Sequence, residues 1–536
     1  MLDTFPALLH ARKTVDALIR LLSPDDKLKA QLIYLQGQSL IYRNDTDREM
    51  NFRQESNFYY LTGCDVPASA LVLFLPPSSD PQGLVVENLI STLLIPKEDP
   101  LETLWSLPPP TLNEAESAYP GHSSIQYTSM LPEILSTLLK TYPDTLVHTI
   151  PSEIPSPFPP LPPFFSDSPK ALTTPKYLLP ALHTARLIKT QHEIGLIRKA
   201  NAISSRAHEL IIRLLGKYAT ADLVTPLQSG KLVMPEEWRI EKEAEAEAAF
   251  VASCRREGSL HQAYLPIVAG AERASTLHYC CNDRDFAWGP LSNSHQGHDL
   301  AHEHVQTGSR RLAPQVLLLD AGCEWKNYAS DITRTTPVGN GGKFTNEARD
   351  IYSLVLTMQN DAIASLRPGV HWDTIHYNCH VTLVREFISL GIFVGNESEI
   401  LDSQISAAFY PHGLGHSLGL DVHDVPSASK PVPQSSNKTI PAFSAKHPAF
   451  YTYLRLRLPL AAGMVLTVEP GIYFSPHLLA PHRQSPFINH EVLKRYETVG
   501  GVRIEDVLVI TDDGSENLTT VGKDIDWLEA AAGGHV

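Results

Sequence analysis

The stretch HGLGHSLGLDVHD, residues 412–424, decides how the chain is read. It holds three histidines and two aspartates in thirteen positions, interleaved with glycines at 413, 415 and 419. A single buried histidine is usually a core residue with a satisfied hydrogen bond. This many nitrogen- and oxygen-bearing side chains on a glycine-rich ribbon point instead to a site. His412 and His416 are four apart, the spacing of a helical zinc pair, but Gly413 and Gly415 lie between them and no glutamate follows His412. Helix propensity is poor there, so a helical zinc-protease motif is set aside.

Partners for these histidines come from carboxylates set in apolar runs. In VLLLDAG four apolar residues lead into Asp320, and eleven positions later SDITRTTPVG offers Asp331 ahead of a β-prone segment. MVLTVEPGIY carries Glu469 behind Met464–Val468, and GVRIEDVLVIT carries Glu505 among Val502, Ile504, Val507 and Leu508. An ionised carboxylate in such a strand is costly unless it is paired or bound to metal. Any one of these acids alone reads as an N-cap or a salt bridge; four of them, with a histidine cluster, point to cations. Four carboxylates balance two divalent ions. One imidazole against four carboxylates is oxygen-rich ligation, which suits manganese or cobalt better than structural zinc. Arg503 and Glu505 are two apart on a strand and so face one side, where the arginine can orient Glu505 or hold a substrate.

Composition narrows the function classes. The chain has 536 residues, enough for two or more domains, and is 43% hydrophobic and 19% charged, the profile of a globular protein. Lys plus Arg number 44 against 59 Asp plus Glu, a net charge of −15. That sign, with no basic stripe, argues against a nucleic-acid partner. No apolar run approaches the roughly 18 residues of a membrane span, and the N-terminus lacks the pattern of a signal peptide. The six cysteines form no CxxC pair, as expected of a reducing compartment, so the expected location is cytoplasmic.

The clearest break along the chain is PSEIPSPFPPLPPFFSDSPK, residues 151–170, whose eight prolines cannot enter a sheet or helix interior. It predicts an N-terminal domain over 1–175, with a linker at about 151–175, and a catalytic domain over 176–536. The first carries β-prone runs at 31–38 and 70–76 between helical stretches and reads as α/β. After the linker, QHEIGLIRKANAISSRAHELIIRLL predicts two helices or one broken helix. A solvated acidic helix is expected over 236–253, and then strands in LPIVAG, VLLLDAG, MVLTVEPGIY and VRIEDVLVI. Residues 283–313, which include His295, His298, His302 and His304, and residues 425–450 read as surface insertions in loop form.

Asp320, Asp331, His416, Glu469 and Glu505, in that order and with their flanking text, resemble the five-ligand site of the pita-bread metallopeptidases. That family includes methionine aminopeptidase, aminopeptidase P, prolidase and creatinase. HGLGHSLGLDVHD and GMVLTVEPGIYF are similar to its proline-specific branch. FRQESNFYYLTG, residues 52–63, resembles the amino-terminal domain of aminopeptidase P and prolidase, and the likeness runs from about residue 28 to about 520. It implies an α/β N-terminal domain followed by an α+β pita-bread catalytic domain. It also implies two divalent metal ions, with manganese the expected identity: Asp320 on one, Asp331 and Glu505 bridging both, His416 and Glu469 completing the other. His423 would meet the substrate carbonyl or the oxyanion, His278 in STLHYC would lie near the scissile bond, Arg503 beside the bridging glutamate, and His412 along the proline-side pocket. Glu469 would also shuttle a proton. The implied activity is hydrolysis of the Xaa-Pro bond, releasing the N-terminal residue from peptides with proline in second position. The alternative is a prolidase, which cuts Xaa-Pro dipeptides and needs a cation to close the pocket on the free carboxylate; Arg455 and Arg457, alternating on one predicted strand face, are its candidates. A non-catalytic pita-bread binding protein is less favoured, because no ligand is missing. Peptides are thus the expected partners, nucleic acid and membrane are not, and relatives of this kind are often dimers or larger, so a homodimer is among the possible partners.

Overall fold

The runs QLIYLQ and ALVLFL pair as their β-prone composition dictates. Strand β1 (Gln31–Gln36) lies antiparallel to β2 (Ala70–Leu75), with Gln31 opposite Leu75. The computed structural model describes residues 4–78, 84–150, 172–217, 219, 234, 239–289, 311–431 and 441–536. The proline-rich stretch 151–170, most of the first insertion with its four histidines, and residues 432–440 lie outside the described residues. The chain divides into two units: 1–195 with 424–428, and 196–423 with 429–536.

In the first unit β1 and β2 are joined by β3 (Ile90–Ile95), β4 (Ser124–Tyr127), β5 (Leu146–His148) and β6 (Leu172–Thr174) in a mixed sheet of order β4-β3-β2-β1-β5-β6. One face carries Leu32, Tyr34, Val72, Phe74 and Leu94, and residues of the helix Leu131–Thr141 pack on them. The motif FRQESNFYYLTG makes the helix Ser56–Thr62. Glu55 caps it by accepting from the Asn57 and Phe58 amides, and Gly63 ends it at φ 65°, a left-handed turn that favours glycine. Buried Asp424 pairs with Arg186 at 2.5 Å and with Lys189 at 2.9 Å, so this end of the histidine ribbon is spent on structure.

The second unit begins on a single helix, Gln191–Lys217, not the two or the broken one expected. The acidic helix starts later than predicted, at Glu243, and runs to Arg256. Its first residue is not solvated: Glu243 is buried and accepts from the Gly270 amide, Arg273 and Tyr279. Strands β7 (Ile267–Gly270), β8 (Gln315–Asp320), the short β9 (Glu324–Trp325) and β10 (Tyr328–Ala329), and β11 (Thr333–Val338) follow. His278 sits in a turn after β7 and not on a strand. The two apolar segments holding glutamates each split in two. MVLTVEPGIY gives β12 (Val465–Val468) and β13 (Gly471–Tyr473), parted at Glu469-Pro470, where proline cannot donate to a ladder. VRIEDVLVI gives β14 (Gly501–Arg503) and β15 (Asp506–Ile510), parted at Ile504-Glu505, with β16 (Ser515–Asn517) beyond. The antiparallel sets are β11-β8-β7, β12-β15-β16, β13-β14 and the pair β10-β9; the helix Asn346–Ala364 packs with β12, β13 and β14, and Trp372–Ser389 packs on that helix. The second insertion is not all loop, since Ala442–Lys446 forms a short helix. Among the described residues no helix is long and apolar enough to cross a membrane.

Each unit buries a histidine that stays neutral. His148 bonds Gln31 and His376 bonds the Phe450 carbonyl; burial pushes each down to about 4. Below the ordinary value of 6.5 the unfolded chain takes up a proton that the folded chain refuses, so stability falls as pH drops from 6.5 toward 4. The expected slope is at most about 1.4 kcal/mol per pH unit for each histidine. Urea melts of the whole chain between pH 7 and pH 5 check this: His376→Asn should flatten the fall, and an unchanged slope would refute the assignment.

Candidate active site

Strand register gathers the acids. Asp320 ends β8 directly opposite Thr333, the first residue of β11, so Asp331 lies just ahead of the same ladder end. In the second sheet Val468 of β12 is opposite Asp506 of β15, which sets Glu469 and Glu505 at one end of that pair. A bridge between Thr333 and Glu505 ties the two sheets together there. The ribbon 414–418 runs beside β12: the Glu469 amide donates to Leu414 O at 2.8 Å, the Thr467 amide to His416 O at 3.0 Å, and the Leu418 amide to Val465 O at 3.0 Å. Gly415 is required by this approach, because a β-carbon there would sit 2.0 Å from Thr467 O. The glycines thus seat the histidines on a strand edge.

Around that point the contacts are short. His416 Nε2 is 3.3 Å from Asp331 Oδ2 and 3.3 Å from Glu469 Oε1. His416 Nδ1 donates to the Ser417 carbonyl at 3.1 Å, which leaves Nε2 as the atom that could take a cation. The Tyr264 hydroxyl lies between Asp320 and Asp331, 2.5 Å from Asp331 Oδ1. Arg503 donates from Nη2 to Asp320 Oδ2 at 2.6 Å, from Nη1 to the Tyr473 hydroxyl at 2.8 Å and from Nε to Thr333 Oγ1 at 3.1 Å. Thr333 in turn donates to Glu505 Oε2 at 2.6 Å. His412 Nδ1 donates to the Gly413 carbonyl at 2.9 Å, and its Nε2 is 2.8 Å from the Tyr473 hydroxyl. Tyr264, Asp320, Asp331, His412, His416, Glu469, Arg503 and Glu505 line a cavity of about 700 Å³, a size that suits a small peptide, together with His278 and His423. The His423 ring stands edge-on to His416 with centroids 4.5 Å apart.

The charges are strained against one another. Burial pushes Glu505 well above the usual carboxylate range, and the neighbouring charges of Asp331, Glu469 and Asp320 add to the rise. Burial lifts Glu469 to about 7 although His416 opposes it. Asp320 is raised by burial in spite of Arg503, whereas at Asp331 the contact with His416 outweighs burial and the carboxyl is lowered. Burial and the Arg503 charge push His412 down to about 3. A divalent cation fits this donor set. Asp331, His416 and Glu505 offer ligand atoms all within 4.8 Å of one another, and Glu505 Oε1 is buried without a hydrogen-bond partner.

The nine residues given metal, catalytic or substrate roles from the sequence all line this one cavity: His278, Asp320, Asp331, His412, His416, His423, Glu469, Arg503 and Glu505. Sequence reasoning missed Tyr264, Tyr473 and Thr333. Tyr473 stood inside the quoted GIYF, but a tyrosine after a strand break has no spacing that marks it. The expected strand face shared by Arg455 and Arg457 does not exist. The segment is irregular, Arg455 lines the cavity, and Arg457 turns to Asp373 at 2.5 Å and stacks on Tyr451.

Two family models match the chain: the aminopeptidase P N-terminal domain over residues 12–148 and metallopeptidase family M24 over residues 195–512. A probable Xaa-Pro aminopeptidase of Paracoccidioides brasiliensis is 36% identical over 532 residues, covering 98% of this chain and 97% of its own length. One of Metarhizium acridum is also 36% identical, over 98% of this chain and 89% of its own. Among solved structures, proline aminopeptidase P II of Yersinia pestis superposes with a TM-score of 0.70 at 25% identity, covering 98% of this chain and 99% of its own. Aminopeptidase P of Escherichia coli, solved in complex with substrate, gives 0.70 at 25% over 99% of both chains. With an M24 match over most of the catalytic unit and relatives aligned nearly end to end, the chain belongs to metallopeptidase family M24, in the branch that carries an aminopeptidase P N-terminal domain.

Proposed function

We propose that this chain is a metal-dependent Xaa-Pro aminopeptidase, releasing the N-terminal residue from peptides with proline in second position. The observation that carries the reading is the buried cluster of Asp331, His416 and Glu505 in a peptide-sized cavity, in a chain similar along its whole length to enzymes named for that activity. Five side chains would hold two divalent ions: Asp320, Asp331, His416, Glu469 and Glu505. Manganese is our reading of their identity, since four carboxylates and one imidazole make a hard, oxygen-rich set. Such ions supply Lewis acidity and lower the pKa of the attacking water.

The chain's own residues do the rest. Glu469, beside His416 and His412, takes a proton from the attacking water and delivers it to the departing prolyl nitrogen. That nitrogen needs it, because an amine leaves the tetrahedral intermediate only once protonated. His423 and His278 donate to the tetrahedral oxyanion as it forms. His412, held neutral and oriented through Tyr473, lines the proline side, and Arg503 fixes Asp320. A dedicated enzyme is required because an Xaa-Pro bond has no N–H and a fixed φ, which ordinary proteases bind poorly. Six free thiols, four of them buried, support a reducing compartment, the cytoplasm.

One observation favours the second reading, cleavage of Xaa-Pro dipeptides. Arg455 is exposed in the cavity, while its neighbour Arg457 is committed to Asp373. A guanidinium so placed is suited to a free carboxylate. The two readings separate on Ala-Pro against Ala-Pro-Ala with the manganese-loaded protein. The aminopeptidase hydrolyses the tripeptide; hydrolysis of the dipeptide alone would establish the prolidase instead.

The metal assignment predicts that Asp331→Ala loses bound metal and activity together while keeping a cooperative thermal melt. Near-zero manganese in active wild-type protein, by elemental analysis, would end it. The role of His423 predicts that His423→Ala keeps its metal but turns over roughly 10²–10³-fold more slowly, the usual loss for one oxyanion donor. Unchanged turnover would remove His423 from the mechanism.

A further inference from the structure

The two glutamates of the site follow residues whose carbonyls share one donor. Gln359, fully buried on the helix Asn346–Ala364, donates from Nε2 to Val468 O at 3.1 Å and to Ile504 O at 3.2 Å. Val468 immediately precedes Glu469, and Ile504 immediately precedes Glu505. Both carbonyls stand where an apolar segment breaks into two strands. The amide orientation is fixed by its surroundings: Oε1 accepts from Lys523 Nζ at 2.7 Å, and a flipped amide would set its oxygen against two carbonyls.

The other side-chain contacts around the breaks bear on the Glu505 side, while Glu469 is held by its own amide on Leu414 O at 2.8 Å. Lys523 also binds Asp506 Oδ2 at 2.7 Å. Arg334 bonds Asp506 Oδ1 at 2.8 Å and the Glu505 carbonyl at 2.8 Å. The Arg334 bond to the Glu505 carbonyl fixes the backbone on that side, and Asp506 keeps Arg334 and Asn517, the latter at 2.8 Å, without Lys523. Gln359 is the side chain that reaches both breaks, and each of its two N–H bonds is used.

We infer that Gln359 is a positioning residue that locks the backbones of Glu469 and Glu505 at a fixed separation, so that both carboxylates face the cations as one unit. The inference rests on the reading of those glutamates as metal ligands. It acts through their backbone and touches neither substrate nor metal. Groups that support ligands in this way typically change metal affinity by 10- to 100-fold when lost.

The test uses Gln359→Met, which keeps the length and removes the donor, beside Lys523→Met, which strips the same amide of its other partner but leaves both carbonyl contacts. Manganese affinity is measured by competition with a chelator, and thermal stability on the metal-free protein. Gln359→Met should bind manganese at least ten-fold more weakly, while Lys523→Met loses comparable stability with affinity near wild type. Where Gln359→Met fails to fold, Gln359→Glu keeps the volume and the Lys523 contact while opposing both carbonyls, and should show the same loss of affinity. Wild-type affinity in the variant that folds, or equal losses in Gln359→Met and Lys523→Met, would overturn the inference. A wild-type protein that binds no manganese would instead overturn the metal assignment itself.

Discussion

Like charges confined out of water set the terms for the catalytic unit. Asp320, Asp331 and Glu505 are 8%, 5% and 2% exposed, and Glu469 stands beside them. Two carboxylates about 4 Å apart repel by about 4 kcal/mol at an effective dielectric near 20, and burial adds a desolvation cost to each. The chain relieves only part of this. Arg503 neutralises Asp320, Tyr264 shares its proton between Asp320 and Asp331, and His416 faces Asp331 and Glu469. Glu505 receives one neutral hydroxyl, from Thr333, on one oxygen and nothing on the other. A site selected for stability alone would have paired or removed that charge. The excess is matched to cations from outside.

Arg503 connects this charge problem to the His412 side of the cavity. Its three donating nitrogens diverge to Asp320, to Tyr473 and to Thr333, and the last two pass the constraint on. Thr333 holds Glu505, and Tyr473 holds His412, whose other nitrogen is fixed by its own ribbon. Lysine could not replace it, because a single ammonium lacks the planar fork that reaches three directions at once. The Thr335 hydroxyl anchors the arginine's own backbone by donating to Arg503 O at 2.9 Å.

How far the sequence could be read follows from which interactions are local. The strands β1, β2, β8 and β11 were legible because runs of β-prone residues are a local property, and the four acids because charged groups in apolar runs are conspicuous, whereas His278 was named by the family resemblance alone. Strand breaks were not legible. VRIEDVLVI reads as one run of nine, and only a partner strand reveals that Ile504-Glu505 leaves the ladder. Glu243 was misread for a similar reason: it opens a run of alternating glutamates that looks solvated, and its burial depends on Arg273 and Tyr279, 30 and 36 residues away. Tyr264 and Gln359 carry no sequence signal, since neutral hydrogen-bonding side chains become informative only once their partners are known. Arg455 and Arg457 show the limit of alternation, which assigns faces only where a strand exists.

The breaks themselves answer why the acids lie at strand ends and not within strands. Inside a ladder the backbone is paired on both edges and successive side chains point to opposite faces, so one strand can offer a site only every second residue. At an end, the chain is free to turn a carboxylate toward a point that two sheets share. Asp320 closes β8, Asp331 precedes β11, Glu469 follows β12 and Glu505 precedes β15. The cost is that carbonyls at the breaks lose their ladder partners, and each must find another donor. Gln359 and Arg334 supply those donors from other elements, a helix and β11. The site therefore exists only when two sheets and a helix have all come together, because Asp320 and Glu505, 185 positions apart in the chain, meet nowhere else. Its precision belongs to the tertiary fold, and a motif read along the chain can list its acids and histidines without containing it.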